Sequence, residues 1–487
     1  MWKSSVYNTL GGLTRLGLGL ISVPLLTRSL GIEYYGLYAA VSAILNITLF
    51  SEWSVSSSIT VFLSKDIASS QHKDKFNLSS AIIYVFGLAA ISSTLIFFSA
   101  DFVIDIFDNL SLQKKYILLE ATKISAGIVC IRILIQFFIG ILQANSLYGE
   151  VNLISTLYTI LSMAFTLYIG TTSKDIILMQ QVLLALSTLV LFVYLFMCYH
   201  LEKIDLSNFQ KVSYTNLTNL SKYGFRMWLA ALGTTLFSQL DRLIVLSSLG
   251  AAWAGVYSAL TSVANQINVI SSMPLQPLLP VLAANHINGD KGTQDILSKS
   301  FAINTIIVIL AGSFIVFFSS ELTSLLFKIG NTEAMLIKQA LIVVTICYCA
   351  YSFNAVGYFS LLATGEERFL TNLILFSGII SLGLIYGLTE YFGIIGACFG
   401  NLGFSLTLLL NYRMARKLRS INFSFFRSII LPLLLAVFFI FFSFSIDNLV
   451  LKVGLYFSLL FGVLFSMRSY ISYYNILNKI KVLVMPK

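Results

Sequence analysis

Charge is scarce in this sequence of 487 residues, of which only 11% are charged whereas 57% are hydrophobic. A soluble domain carries roughly 25% charged residues, so this chain has too little charge to cover a surface that faces water. Its mean hydropathy of +0.87 also excludes intrinsic disorder, which requires low hydrophobicity. Lipid is therefore the predicted solvent for most of the protein surface.

Residues suited to metal binding or catalysis are also few. None of the 5 cysteines stands in a C-x-x-C pair, and none of the 3 histidines has a second ligand at helical spacing. The chain lacks the G-x-x-x-x-G-K-[ST] loop that binds nucleotide phosphates. We therefore predict no metal, no cofactor and no enzymatic activity. An integral-membrane polysaccharide polymerase is the enzyme alternative, disfavoured because the longest predicted outer loop, 100–116, is short.

Long apolar stretches fill the chain, and fourteen of them reach the roughly 17–25 residues that a helix needs to cross a bilayer. The predicted fold class is an all-α integral membrane protein with about fourteen transmembrane helices. The predicted spans are 5–27, 35–62, 77–99, 117–142, 150–170, 176–199, 222–248, 254–283, 300–319, 336–362, 368–389, 391–412, 425–446 and 449–467.

Lysine and arginine are concentrated in the loops on the side of the N-terminus, including the basic segment 413–427. Cytoplasmic loops carry an excess of these residues, so both termini are predicted to be cytoplasmic. The basic tail 478–487 suits anionic lipid headgroups, and we predict no nucleic-acid partner.

One pattern occurs twice, as SLGIEYYGLYAA from Ser29 and as SLGAAWAGVYSA from Ser248. Each copy joins one predicted span to the next, and six spans separate the copies, so both halves enter the membrane in the same direction. The sequence thus predicts two parallel, pseudo-symmetric six-helix lobes that rock against each other in alternating access. The predicted domains are 1–220 and 221–420 for the lobes, and 421–487 for a terminal helix pair with a basic cytoplasmic tail.

The glycines of the repeated pattern have two predicted roles. A tight outer turn needs the backbone freedom of glycine at Gly31 and Gly250. Gly36 and Gly255 are expected to let the following helix start close against its neighbour, because glycine has no side chain to hold backbones apart.

Several segments resemble those of polysaccharide exporters. They are the glycine-rich GGLTRLGLGLISVPLLTRSLG in the first span, DRLIVLSSLGAAWAGVYSA around the repeat, MPLQPLLPVLA and YFGIIGACFGN. They look like those of the O-antigen and capsule flippases of the multidrug/oligosaccharidyl-lipid/polysaccharide (MOP) exporter superfamily.

The resemblance implies a MATE-like fold and translocation of an undecaprenyl-pyrophosphate-linked oligosaccharide across a bacterial inner membrane. It implies ion-coupled antiport, with H⁺ or Na⁺ as the coupling ion, and a cationic central cavity. The expected partners are the lipid-linked oligosaccharide, membrane lipids, a polysaccharide polymerase and a chain-length regulator. The alternatives are a multidrug or metabolite cation antiporter and a lipid II flippase of the same superfamily.

Ionisable residues inside the predicted spans mark the candidate site, because a charge at the bilayer centre costs roughly 2.5–3.5 kcal/mol. Arginine binds phosphate oxygens in a bidentate manner, so cations suit a pyrophosphate headgroup, and carboxylates suit ion coupling. The predicted substrate-binding residues are Arg15, Arg132, Arg242, Lys123 and Gln136, and the predicted ion-coupling residues are Glu52 and Asp241.

These candidates differ in their alternatives. Arg132 and Gln136 share one helix face at i and i+4, whereas Lys123 lies about 180° around that helix and near enough to its outer end to snorkel. The adjacent Asp241 and Arg242 are alternatively structural partners for neighbouring helices. Glu52 either carries the coupling ion or pairs with Arg15.

Overall fold

The computed structural model describes most of the chain, and every regular element in the described residues is helical. The described residues are 17, 21–48, 50–68, 77–105, 107, 110–145, 147–201, 212–275, 278, 282, 293–327, 331–417, 431–440 and 448–466. They fall into two compact units, residues 1–259 and 260–487.

The first unit is a bundle of long helices. Several of them begin at side chains that cap the first turn: Asn77 Oδ1 accepts from Ser80 N at 2.8 Å, and Asp175 Oδ1 accepts from Ile177 N at 2.9 Å. Its helices are α1 (21–30), α2 (Ile32–Thr48), α3 (Phe50–Ala68), α4 (Leu78–Asp105), α5 (Leu112–Ala144), α6 (Tyr148–Thr172), α7 (Ile176–His200) and the first part of α8 (Tyr214–Ser272).

Helix α5 is the centre of this unit and packs against α2, α3, α4 and α7. Its contact with α3 is close at Gly140, where an added β-carbon would lie 2.7 Å from Ile59 Cβ and 3.0 Å from Ser56 O. At the other end of α5, Lys114 forms an ion pair with Glu33. This pair places the starts of α2 and α5 at the same end of the unit.

Apolar side chains also cover the outside of the unit. On α4, Leu95, Phe98 and Phe102 expose 65%, 75% and 73% of their surface. Exposed apolar stripes of this length are unfavourable in water and favourable against acyl chains. The outer face of α4 is therefore a lipid-facing surface, as the composition predicts.

The second unit contains the end of α8 and the remaining helices. A short 3₁₀ helix, Met273–Leu275, follows α8. The others are α9 (Thr293–Phe317), α10 (Ser319–Leu326), α11 (Asn331–Ser352), α12 (Ala355–Ala363), α13 (Glu367–Gly400), a 3₁₀ segment (Asn401–Leu408), α14 (Leu409–Lys417), α15 (431–440) and α16 (Leu449–Ser466).

One span of the second unit is interrupted between α11 and α12. Asn411 Nδ2 donates to Phe353 O at 2.8 Å, and Asn411 Oδ1 accepts from Gly357 N at 2.9 Å. Asn354 Nδ2 donates to Thr407 Oγ1 at 2.7 Å. The Asn411 amide thus satisfies two backbone groups at the interruption, which lipid alone would leave unpaired, and Asn354 adds a side-chain bond to the facing 3₁₀ segment.

The helices agree with the predicted layout. In the described residues, 9 helices are long and apolar enough to cross a membrane. Two of these include a glycine with positive φ that turns the chain. Gly250 (φ 83°) lies between the predicted spans 222–248 and 254–283, and Gly393 (φ 56°) lies two residues after the predicted start of the span 391–412. The number fourteen stays a prediction, because the first span lies mostly outside the described residues and the thirteenth is described only over 431–440.

An ion pair joins α10 to α16 at the end of the second unit. Lys452 Nζ lies 2.8 Å from Glu321 Oε1, and their side chains are 8% and 34% exposed. Burial raises the pKa of Glu321, but hydrogen bonds from Lys452, the backbone and Ser320 outweigh it and hold that pKa below its usual value. A carboxyl group whose pKa is lower in the folded state than in the unfolded state stabilises the fold at pH values above its unfolded-state pKa. This stabilisation is lost as the pH falls through the folded-state pKa.

We expect Glu321→Gln to lower the free energy of unfolding by about 2 kcal/mol at pH 7, because it leaves a buried ammonium without its counter-ion. The double variant Glu321→Gln/Lys452→Met should recover most of that loss, since it removes both charges. Thermal unfolding in detergent at pH 7 and pH 4 measures both effects. Glu366→Gln is the matched control, because its ion pair with Arg413 has an arginine that is 44% exposed. Equal losses for Glu321→Gln and Glu366→Gln would contradict the prediction.

Candidate functional site

The repeated pattern forms two sharp turns. Gly31 and Gly250 adopt φ of 82° and 83°, the left-handed region that side chains disfavour. Gly31 N donates to Thr27 O at 3.1 Å and ends α1, and Gly31 O accepts from Tyr35 N in the first turn of α2. The prediction that these glycines supply backbone freedom at a turn is confirmed.

The second pair of repeated glycines brings two helix backbones into contact. A β-carbon at Gly36 would overlap the carbonyl oxygen of Ala251 and lie 2.8 Å from Gly255 N. A β-carbon at Gly255 would overlap the carbonyl oxygen of Ile32 and lie 2.9 Å from Gly36 N. The predicted close approach is confirmed, and the structure identifies the neighbour: the two copies of the pattern pack against each other.

A buried carboxylate, Asp241, lies in α8 nine residues before the turn at Gly250. Asp241 is 3% exposed; its Oδ2 accepts from the Tyr257 hydroxyl at 3.0 Å, and its Oδ1 accepts from Arg242 N at 2.7 Å. Tyr257 is itself fully buried. Hydrogen bonds of this kind favour the charged form of a carboxylate that burial would otherwise neutralise.

The guanidinium of Arg242 has unused hydrogen-bonding capacity. Its Nε is buried and has no hydrogen-bond acceptor among the described residues. Tyr38, whose hydroxyl hydrogen-bonds Ser42, lies within electrostatic range of Arg242. Tyr38 and Tyr257 are the equivalent tyrosines of the two repeated segments, and of the two it is Tyr257 that bonds directly to the Asp241–Arg242 pair.

This cluster lies well inside the helix span, away from the turn that ends it. Asp241 precedes the turn at Gly250 by nine residues and Tyr257 follows it by seven, which correspond to about 13 Å and 10 Å of helix. The hydrocarbon core of a bilayer is about 30 Å thick. Charged groups at this depth are costly, and they mark substrate or ion pathways.

Helix α5 carries a second polar stripe. Arg132 and Gln136 are partly buried and lie about two turns and one turn, respectively, before Gly140, on the side that α3 approaches. The Thr60 hydroxyl of α3 lies 3.2 Å from Gly140 O and 3.3 Å from Gln143 Oε1. Thr60 of α3 is therefore level with residues 140–143 of α5.

Lys123 occupies a different environment on the same helix. Its Nζ lies 3.5 Å from Asp101 Oδ1 at the end of α4 and 5.7 Å from the centre of the Phe97 ring. Asp101 is 64% exposed, so the amine reaches towards the membrane boundary, as snorkelling predicts. Arg15 lies outside the described residues, and Glu52 is described only as part of the backbone of α3.

The family model for polysaccharide biosynthesis proteins matches residues 1–286, which include the repeated pattern and the Asp241 cluster. The chain belongs to this family. An uncharacterised membrane protein of Methanocaldococcus jannaschii is 24% identical over 215 residues, which are 42% of this chain and 48% of that protein. The chain thus spans about half the length of the curated relative that it matches.

Solved structures with a similar fold include two kinds of transporter. A lipid II flippase, MurJ, in an inward closed conformation has a TM-score of 0.73 at 14% identity, with 97% of this chain and all of that chain covered. An inward-facing multidrug transporter of the MATE family has a TM-score of 0.65 at 13% identity, with 84% and 100% covered. A MATE transporter of Vibrio cholerae has a TM-score of 0.54 at 14% identity, with 87% and 99% covered. The predicted MATE-like, all-helical fold is confirmed.

Sequence reasoning missed the tyrosines of this site. Tyr257 and Tyr38 stand at equivalent positions in the repeated pattern, and that repetition was the signal that pointed to them. No such signal marked the amides Asn354 and Asn411 at the interruption of the second unit. Their role depends on contacts between segments more than fifty residues apart.

Proposed function

We propose that this protein of the polysaccharide biosynthesis family is a flippase. Its substrate is an oligosaccharide linked to undecaprenyl pyrophosphate, which it moves from the cytoplasmic to the outer leaflet of a bacterial inner membrane for O-antigen or capsule synthesis. The two lobes, 1–220 and 221–420, rock against each other, and the terminal segment 421–487 holds a helix pair and the basic tail. Both termini are cytoplasmic, in agreement with the distribution of lysine and arginine.

The observation that carries this proposal is the environment of Arg242. It is a partly buried cation deep in a spanning helix, and its Nε has no acceptor among the described residues. A pyrophosphate oxygen is a matching acceptor, because a guanidinium binds phosphate through several directed N–H groups. Arg132 with Gln136, Arg15 and Lys123 are the further proposed contacts to the anionic headgroup.

Ion coupling is assigned to the carboxylates. Asp241 is buried beside Arg242, so a proton or Na⁺ on Asp241 changes the charge that the substrate meets. Glu52 of α3 is the second proposed coupling carboxylate. A polysaccharide polymerase and a chain-length regulator are the proposed protein partners, since they would consume the exported repeat unit.

Arg132→Ala should slow translocation by about 10- to 100-fold, because a charge-assisted hydrogen bond contributes about 1.5–3 kcal/mol. Arg132→Lys should keep part of the activity, since it retains the charge and loses only the bidentate geometry. The measurement uses proteoliposomes that contain a fluorescent undecaprenyl-pyrophosphate oligosaccharide and scores the fraction that reaches the opposite leaflet. Lys123→Ala on the same helix should give a smaller loss than Arg132→Ala, because the Lys123 amine already pairs with Asp101.

Two further substrates separate the alternatives. Lipid II and a cationic dye are offered to the same proteoliposomes under the same ion gradients. Faster movement of lipid II, or dye export without movement of the oligosaccharide lipid, would contradict the proposed substrate. Normal translocation by Arg132→Ala at matched protein level would contradict the role of Arg132.

A further inference from the structure

Helices α4, α5 and α7 leave an apolar recess of about 200 Å³ between them, within the first unit. Every residue that lines it is aliphatic or aromatic. Val85 and Phe137 are buried at its floor, whereas Phe86, Leu195 and Tyr199 form its rim and are 58%, 45% and 67% exposed. The recess therefore opens on the lipid-facing surface of the bundle.

The recess lies at one end of these helices. Ile82 is one turn from the start of α4, Tyr199 adjoins the last residue of α7, and Phe138 is six residues before the end of α5. Along α7 it extends from Tyr199 to Leu191, about 12 Å of helix. This length fits inside one leaflet of a core about 30 Å thick. The positive-inside assignment makes it the cytoplasmic leaflet.

The chemistry of the recess selects a hydrocarbon chain. An apolar protein cavity of about 150 Å³ stays dry and binds small hydrocarbons, so a recess of this size excludes water and accepts a length of chain. Its walls offer no partner to a phosphate or sugar. The Tyr199 hydroxyl at the rim suits the interface between headgroups and chains, where amphipathic aromatic residues are enriched.

We propose that this recess binds the polyprenyl tail of the lipid-linked substrate in the cytoplasmic leaflet while its headgroup enters the protein. The proposal rests on the proposed function. Helix α5 presents Arg132 and Gln136 on one face, and Leu134 and Phe138, which line the recess, on the opposite face at the same depth. One helix thus offers a polar and an apolar contact to the two chemically different parts of one lipid.

Photo-crosslinking of the full-length protein in phospholipid nanodiscs tests the proposal. A polyprenyl phosphate with a diazirine in its tail should label peptides containing 82–86, 134–138 and 191–199, and excess unlabelled polyprenyl phosphate should reduce that labelling at least fivefold. A diazirine phosphatidylglycerol should label the same peptides weakly. Equal labelling by the phospholipid, or labelling that the competitor leaves unchanged, identifies ordinary boundary lipid and overturns the proposal.

Variants that fill the recess sharpen the test. Leu191→Phe should reduce polyprenyl labelling at least fivefold, whereas Leu189→Phe should leave it unchanged, because Leu189 is on the same helix, is 56% exposed and does not line the recess. Leu195→Trp at the rim is the second filling variant, used if Leu191→Phe lowers the melting temperature. Unchanged labelling in the properly folded filling variant contradicts the proposal.

This experiment measures binding and requires no translocation. Specific labelling of the recess in a protein that fails to move the oligosaccharide lipid would overturn the proposed function and leave the tail site standing. Translocation that persists without specific labelling of the recess would overturn the tail site and leave the proposed function standing.

Discussion

Replacing Gly36 or Gly255 with alanine is expected to lower the free energy of unfolding by about 1–3 kcal/mol, the usual cost of overpacking. In an ordinary helix the same change is favourable by roughly 0.5–1 kcal/mol, because glycine loses more backbone entropy on folding. The opposite sign is expected here because the added β-carbon overlaps a backbone carbonyl, of Ala251 or of Ile32. No rotamer change relieves that overlap, so the two helices must separate.

The chain supplies a matched control for this prediction. Gly87 lies in the middle of α4, where an added β-carbon meets nothing within 4 Å, and Gly87→Ala should be neutral or slightly stabilising. Thermal unfolding in detergent measures all three variants. If Gly36→Ala and Gly87→Ala change the melting temperature in the same direction, the backbone contact between the repeated segments is absent in solution.

Asp241→Asn is expected to reduce gradient-driven translocation by about 100-fold or more while the protein stays at least as stable. The amide keeps the size of the carboxylate but cannot gain and lose a proton or neutralise a bound cation. Removing a charge from a side chain that is 3% exposed also removes its desolvation cost, which amounts to several kcal/mol for a buried ion. Lost transport with retained stability is therefore the signature of a coupling role.

A second variant separates coupling from packing. Tyr257→Phe removes the hydroxyl that donates to Asp241 at 3.0 Å and keeps the carboxylate. Translocation should therefore fall by about tenfold, which corresponds to the lower end of the roughly 1.5–3 kcal/mol that a hydrogen bond to a charged group contributes. Proteoliposomes with and without an imposed H⁺ or Na⁺ gradient measure both variants, beside melting temperatures. If Asp241→Asn lowers stability by as much as it lowers transport, the Asp241–Arg242 pair is structural.

The sequence by itself determined what depends on composition and on local backbone geometry. Sparse charge and long apolar stretches were enough to predict a helical membrane protein and the position of most spans. The turns at Gly31 and Gly250 were predictable because the left-handed region is open mainly to glycine, and both residues adopt it. The parallel repeat was predictable because the same residue pattern occurs at Ser29 and at Ser248.

Only the tertiary structure decided which side chains meet. The approach of Gly36 to Gly255, the hydrogen bond from Tyr257 to Asp241 and the reach of Lys123 towards Asp101 depend on how each helix is rotated about its axis and shifted along it. Helical periodicity places residues on a face but does not say which neighbour that face meets. Rotation and shift are set by packing between segments distant in the chain, and for that reason the apolar recess among α4, α5 and α7 had no counterpart in the sequence pattern.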